Sequence, residues 1–230
     1  TTVNLPATGT VFFNTGINLI NGTFNANGAY VSMSNLANAT KGPRISVSGG
    51  TFIASSDTIY MDTSGAKPIK IDITGGTFIN NRGTFYLRPF SASTSSMDLS
   101  GNPRFYTFYL NDTGFVNIPS NQVLNVENLL DIGSSGGFYG GTIKVGGDII
   151  VYQANTYSTS AFTLSGTGAQ RYWAGGGSFT SGNWTIAKPS GVVTLSGALT
   201  LNTANQNLFQ PCFVERTFLT QSLKPEWDEQ

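Results

Sequence analysis

Apolar and polar residues alternate along this chain in short runs, and the runs return at a near-constant distance. Ile45-Ser-Val47-Ser-Gly49-Gly50-Thr-Phe52 returns, polar for polar and apolar for apolar, as Ile71-Asp-Ile73-Thr-Gly75-Gly76-Thr-Phe78. In that register Ile59 falls over Phe85 and Met61 over Leu87, with Ser, Thr, Asp, Tyr or Arg between them. Period-two alternation is the pattern of a strand with one buried face. A fixed repeat of this length is the mark of a solenoid, in which each turn buries its apolar face against its neighbours.

The pattern extends both ways. Ile17-Asn-Leu19-Ile-Asn21-Gly22-Thr-Phe24 fits the same template, with Val31 and Met33 at the later apolar positions. A looser copy runs from Met97 and Leu99 to Phe105, Phe108 and Leu110. Phe24, Phe52, Phe78 and Phe105 are then spaced almost evenly. Strands stacked about 4.8 Å apart would place these rings in one inward column, the spine of the core. Gly22, Gly49, Gly50, Gly75 and Gly76 fall where the chain must turn, a place for positive φ or close backbone approach. Phosphate cradling by these glycines would require a following helix and a spaced Lys or Ser/Thr, which the sequence lacks. The expected fold is all-β: a right-handed parallel β-helix or β-solenoid of about 26 residues per coil. Regular coils are expected over about 17–110 and looser, longer ones over 115–204. In the latter, Phe162-Thr-Leu-Ser-Gly recurs at a longer interval as Val193-Thr-Leu-Ser-Gly.

The end of the chain has a different composition. No glycine follows Gly197, and Glu215, Arg216, Lys224, Glu226, Asp228 and Glu229 concentrate charge there. Residues 1–207 are therefore read as the solenoid and 208–230 as a C-terminal cap. A segment docking on a neighbouring subunit, with Cys212 at the contact, is the alternative.

Composition narrows the chemistry. Of 230 residues 28 are glycine and only 10% are charged, which suits neither a disordered chain nor a helical one. Acidic and basic residues balance, 12 against 12, so no electrostatic footprint for nucleic acid is expected. With no histidine, the usual general base and the usual metal ligand are both missing, so no metal or cofactor is expected. Cys212 is the only cysteine, which excludes an internal disulfide. No apolar run is long enough to span a bilayer, and no transmembrane segment is expected. The opening Thr-Thr-Val-Asn lacks the basic start and apolar core of a signal peptide, as in a processed protein or a fragment. Asn21, Asn38, Asn111 and Asn183 each begin an N-glycosylation triplet.

Two groups of side chains are candidates for a site. Asp72 and Asp98 occupy the same outward position one coil apart, which would bring their carboxylates within about 5 Å. That separation is used in retaining glycoside hydrolysis, and Arg44 and Lys70 stand nearby to bind an acidic sugar. Against this, the column continues as Asn18 and Ser46 with no third acid. The outward Tyr60, Tyr86, Tyr106 and Tyr109 are candidates for stacking on a ligand.

The stretch 134–204 resembles a known module. Phe162-Thr-Leu-Ser-Gly-Thr-Gly-Ala-Gln170 leads through Gly-Gly-Gly-Ser-Phe179 into Asn183-Trp-Thr-Ile-Ala-Lys188-Pro-Ser-Gly-Val-Val-Thr-Leu-Ser-Gly-Ala-Leu-Thr-Leu201. This is similar to repeats of large exported surface proteins of Bacteroidetes-type bacteria, in which a G-x-G-x-Q step precedes N-L-T-I-x-K-x-x-G-x-V-T-L. Arg171-Tyr172-Trp173 departs from the small apolar residues expected there, and the family's C-terminal sorting domain is missing. The resemblance implies a secreted or cell-surface β-solenoid, adhesin-like or filamentous. Asp57-Thr58-Ile59 also matches the acidic-Thr-aliphatic triplet that those bacteria O-glycosylate. The functional expectation is a structural, non-catalytic extracellular rod, part of an adhesin or the subunit of a fibre. Its expected partners are another copy end to end or the rest of a longer chain, with glycans possible. A polysaccharide-binding or polysaccharide-degrading β-helix is the alternative.

Overall fold

A computed structural model describes residues 1–35, 42–63, 67–90, 94–133, 136–152, 156–175, 179–180 and 182–197. Asn38, Cys212 and the segment 208–230 lie outside the described residues.

Among the described residues there are strands and no helix, and each strand pairs in parallel with its counterpart one turn away. The molecule is a parallel β-solenoid with turns averaging about 23 residues. In the N-terminal half each turn visits three sheets in order. A narrow sheet holds Thr2–Asn4, Thr23–Asn25, Thr51–Ile53 and Thr77–Ile79. Among the described residues a main sheet of 12 strands runs from Thr10–Phe12 to Val193–Ser196, and a third sheet has six strands from Gly16–Leu19 to Gly137–Tyr139.

The apolar columns read from the sequence are physical columns. Ile17, Ile45, Ile71 and Met97 are consecutive register partners in the third sheet. Val31, Ile59, Phe85 and Phe108 are consecutive in the main sheet. All eight are buried, because period two sends alternate side chains inward from every sheet. The phenylalanine spine runs alongside. Phe24 and Phe52 stack with centroids 5.1 Å apart, Phe52 and Phe78 at 5.7 Å, and Phe78 meets Phe105 at 5.3 Å with a tilt of 51°.

The corner before each spine residue depends on glycine. Gly50 and Gly76 sit at φ 72° and 70°, and a Cβ on Gly50 would lie 2.3 Å from the Gly22 carbonyl oxygen of the turn below. Gly49 and Gly75 have ordinary φ, but their Cβ atoms would lie 2.3 and 2.6 Å from the backbone oxygens of Ile20 and Ser48. The first turn takes its left-handed residue from Gly22, at φ 82°, while the Asn21 side chain accepts the Gly22 N–H at 2.7 Å.

The tilt at Phe105 marks a change of plan. Phe105 lies in Arg104–Leu110, a strand of the main sheet, and its register partner is Val126. One turn earlier the narrow and main sheets were separated by a corner at Asn80 to Gly83, where Asn81 and Arg82 take positive φ. In Arg104–Leu110 and again in Val123–Ile132 that corner is straightened, and the two strands fuse with a bulge between Phe105 and Thr107. The corner reopens at Gly146-Gly147, where Val123–Ile132 pairs with both Thr142–Val145 and Asp148–Val151.

The C-terminal turns are consequently shorter than the sequence pattern suggested. Thr23 finds its register partner at Thr51, whereas Val123 finds its own as early as Thr142. The likeness of the segments at Phe162 and Val193 is not a turn repeat. Phe162 pairs with Trp184, and Val193 with Gln170, on opposite sides of the reopened corner.

Candidate functional site

Asp72 and Asp98 are register partners on the outer face of the third sheet, next in line after Ser46 and Asn18. Local partners bind both. Arg44 reaches diagonally to Asp72 at 2.6 Å. Asp98 accepts hydrogen bonds from the Ser100 N–H at 3.1 Å and from Gln122 Nε2 at 2.8 Å. Burial raises the Asp98 carboxyl, but the bonds from Gln122 and Ser100 outweigh it and hold its pKa below the ordinary value. A general acid requires the opposite shift. The geometry is that of two satisfied surface carboxylates.

The tyrosines divide. Phe12, Ser32, Tyr60, Tyr86, Tyr109, Asp131, Ile150 and Trp173 follow one another in register along the outside of the main sheet. Tyr30 joins this column from the side, 6.3 Å from Tyr60. Tyr106 does not; it sits in the bulge beneath the Arg82 guanidinium, 5.2 Å from the ring centre, and its hydroxyl accepts from Arg82 at 3.2 Å. Within the column the rings are turned against one another, Tyr60 and Tyr86 tilted at 49° and Tyr86 and Tyr109 edge to face at 88°. Their hydroxyls are engaged as well. Tyr60 donates to Asp62 at 3.1 Å, and Tyr86 accepts from Asn111 Nδ2 at 2.7 Å. A sugar stacks on a ring presented flat, so this column braces the sheet and is poorly shaped as a platform.

Asp131 interrupts the aromatic column, and sequence reasoning passed over it. The available signal was its place two residues after Leu129 in an alternating strand. One of its oxygens, Oδ1, is buried without a hydrogen-bond partner, and burial pushes its pKa up to about 6. Burial and the facing Asp131, with the Tyr86 and Tyr152 phenols, push Tyr109 up to about 12. With the folded-state pKa of Asp131 above its unfolded value, the folded chain keeps a proton that the unfolded chain has lost. Stability therefore falls as pH rises from about 4 to about 6, and the penalty is complete above that. Asp131→Leu is expected to stabilise the protein at pH 8 by about 1–2 kcal/mol, allowing for solvent screening of a half-buried group. The gain should vanish near pH 4; denaturant midpoints that stay parallel from pH 4 to 8 would contradict this.

Gln170 and Lys188 are both turned into the solenoid, where they hold the corners between turns. Gln170 Nε2 donates to the carbonyls of Val145 and Gly147 at 3.0 and 2.6 Å. One turn further on, the Lys188 ammonium donates to Gly166 O at 2.7 Å, Gly168 O at 2.8 Å and Gln170 Oε1 at 2.6 Å. Each side chain ties down the glycine corner of the turn below, where buried carbonyls need donors; the Val145 carbonyl also accepts the Ser165 N–H at 2.9 Å. Lys188 is 4% exposed, and burial lowers its pKa. Among the departures from the module, Tyr172 is buried in the core, Trp173 packs outward on Tyr152 at 5.2 Å, and Arg171 reaches Asp148 at 3.9 Å.

The candidate glycan acceptors differ in access. Asn21 and Asn183 are exposed, Thr58 is half-buried within Thr58–Thr63, and the Asn111 amide nitrogen is committed to Tyr86. Among the described residues no group of three or more Cys, Asp or Glu side chains is arranged to hold a metal ion. No helix among them is long and apolar enough to cross a membrane. Comparison with family models, curated proteins and solved structures yields no match. Fold and geometry thus define the class directly: a parallel β-solenoid with a phenylalanine spine.

Proposed function

We propose that the protein is a structural, non-catalytic scaffold: a rigid extracellular rod that forms a segment of a bacterial surface adhesin or the subunit of an extracellular fibre. The observation that carries this reading is the continuity of the ladder. Nine strands of the main sheet follow one another along the axis, a length of roughly 40 Å at about 4.8 Å per step. Backbone hydrogen bonds link every turn to the next over that length, and the phenylalanine stack from Phe24 to Phe105 reinforces the N-terminal turns, so bending requires breaking many contacts at once. The ion pair on Asp72 and the lowered pKa of Asp98 count against the alternative of a glycan-degrading enzyme. The extracellular setting draws on the resemblance of residues 134–204 to exported surface repeats.

Electron microscopy of the purified full chain tests the mechanical role. Filaments formed by end-to-end joining support the fibre, and uniform short rods support the adhesin segment. Flexible or irregular particles overturn both. In parallel, the protein is incubated with acidic and neutral polysaccharides. Turnover that disappears in Asp72→Asn or Asp98→Asn would replace the scaffold reading with the enzymatic one.

A further inference from the structure

Beside the fused strands Arg104–Leu110 and Val123–Ile132 lies a groove of about 420 Å³. One wall carries Arg104, Asn125 and Lys144, which are consecutive register partners. One turn beyond Lys144, Ser165 to Gly168 form the far wall that closes the end of this row, with Gly166 directly over Gly146. Arg104, Asn125, Lys144 and Ser165 belong to four successive turns, so the groove lies lengthwise and spans roughly 14 Å at the usual strand spacing.

Its chemistry is selective. Arg104 meets Glu127 through one nitrogen at 3.2 Å and remains well exposed, leaving other N–H groups of its fork free for a ligand. Glu127 is also tied to Asn80 at 3.0 Å. Lys144 forms no salt bridge among the described residues. Two cations against one carboxylate give the lining a net positive charge. The other polar groups are the Asn125 amide, the hydroxyls of Ser165 and Thr167, and glycine backbone. No aromatic ring lines it, so nothing favours a nucleobase or another flat ligand. Hydroxyl and amide groups spaced along an extended groove, with cations on one wall, suit a polyol chain that carries carboxylates.

The far wall is also pre-organised. The carbonyls of Gly166 and Gly168 accept hydrogen bonds from the buried Lys188, and Gln170 fixes the Gly147 carbonyl at the corner next to Gly146. A wall held from behind loses little entropy when a ligand settles on it.

We propose that this groove binds an acidic oligosaccharide lengthwise, with Lys144 and the free edge of Arg104 pairing its carboxylates. Such binding is an activity beyond the scaffold role, and it stands or falls separately from the particles seen by microscopy. The test is isothermal titration of the full chain with hexamers of galacturonate, mannuronate and glucuronate. Methyl-esterified hexamers and inorganic phosphate serve as controls. At least one hexuronate is expected to bind, with its neutral ester and phosphate at least tenfold weaker. Lys144→Gln, an exposed substitution, is expected to weaken that binding at least tenfold while leaving the unfolding midpoint in place; Arg104→Gln should weaken it to a lesser degree. Absence of binding by all three hexamers at millimolar concentration overturns the proposal. So does binding undiminished in Lys144→Gln, or an affinity for phosphate or the ester equal to that for the acid.

Discussion

Phe52→Ala is expected to destabilise the protein by about 3–5 kcal/mol, a large share of the roughly 5–15 kcal/mol that holds a typical domain folded. Phe52 is fully buried, stacked between Phe24 and Phe78 at interplanar angles of 20° and 8°. Truncation removes ring contacts on both sides at once. The cavity left behind cannot collapse, because the spacing of the turns is set by backbone ladders that pair Thr51–Ile53 on both edges. In a solenoid each turn is stabilised chiefly by its neighbours, so a weak interface in the second or third turn separates the N-terminal turns from the remainder. Urea denaturation should show the loss, and Phe52→Leu, which retains much of the volume, should recover more than half of it. A deficit below about 1 kcal/mol for the alanine variant would mean that the stack is incidental to stability.

Lys188→Met is expected to cost about 2–4 kcal/mol although it keeps a long apolar stem. The loss comes from acceptors rather than packing. The carbonyls of Gly166 and Gly168 and the Gln170 amide oxygen all receive the ammonium within 2.8 Å, and a buried acceptor left alone is penalised by about 1–3 kcal/mol. Gln170→Met alone leaves the Val145 and Gly147 carbonyls without that donor and should also destabilise. Because the two side chains share a bond, the double variant is expected to lose at least about 1 kcal/mol less than the sum of the singles. Strict additivity, or a neutral Lys188→Met, would show that water can take the place of the ammonium and that the corner is not held from within.

These two sites also mark where pattern was informative and where it was not. The spine and the glycine corners could be read from spacing alone, because equal positions in successive turns meet the same environment and so favour the same residue type. Phe24, Phe52 and Phe78 are register partners for that reason. Phe105 joined the spine by proximity, yet its strand belongs to another sheet, since the loss of one corner shifts sheet membership without disturbing local alternation. Gln170 and Lys188 stood out only as parts of a resemblance. Nothing in the spacing between them shows that an amide and an ammonium will meet across a turn.

The site candidates teach the same lesson from the outside of the molecule. Asp72 and Asp98 were correctly placed side by side in register, but their chemistry depended on Arg44 and Gln122, which arrive from a diagonal position and from the following turn. Asp131 carried no signal beyond its place in an alternating strand. Its raised pKa comes from neighbours that the chain delivers from the turns on either side.

Alternation and period were enough to establish a parallel stack of turns with a phenylalanine spine and glycine corners, because burial of one face and the steric demands of a tight bend act on each residue locally. Folding decided the rest: which corner is straightened, how long the later turns are, which carboxylates are neutralised, and where a groove is left beside the main sheet. Each of these depends on contacts between residues about a turn apart, whose strength is set by distance and solvent exposure as well as by residue type.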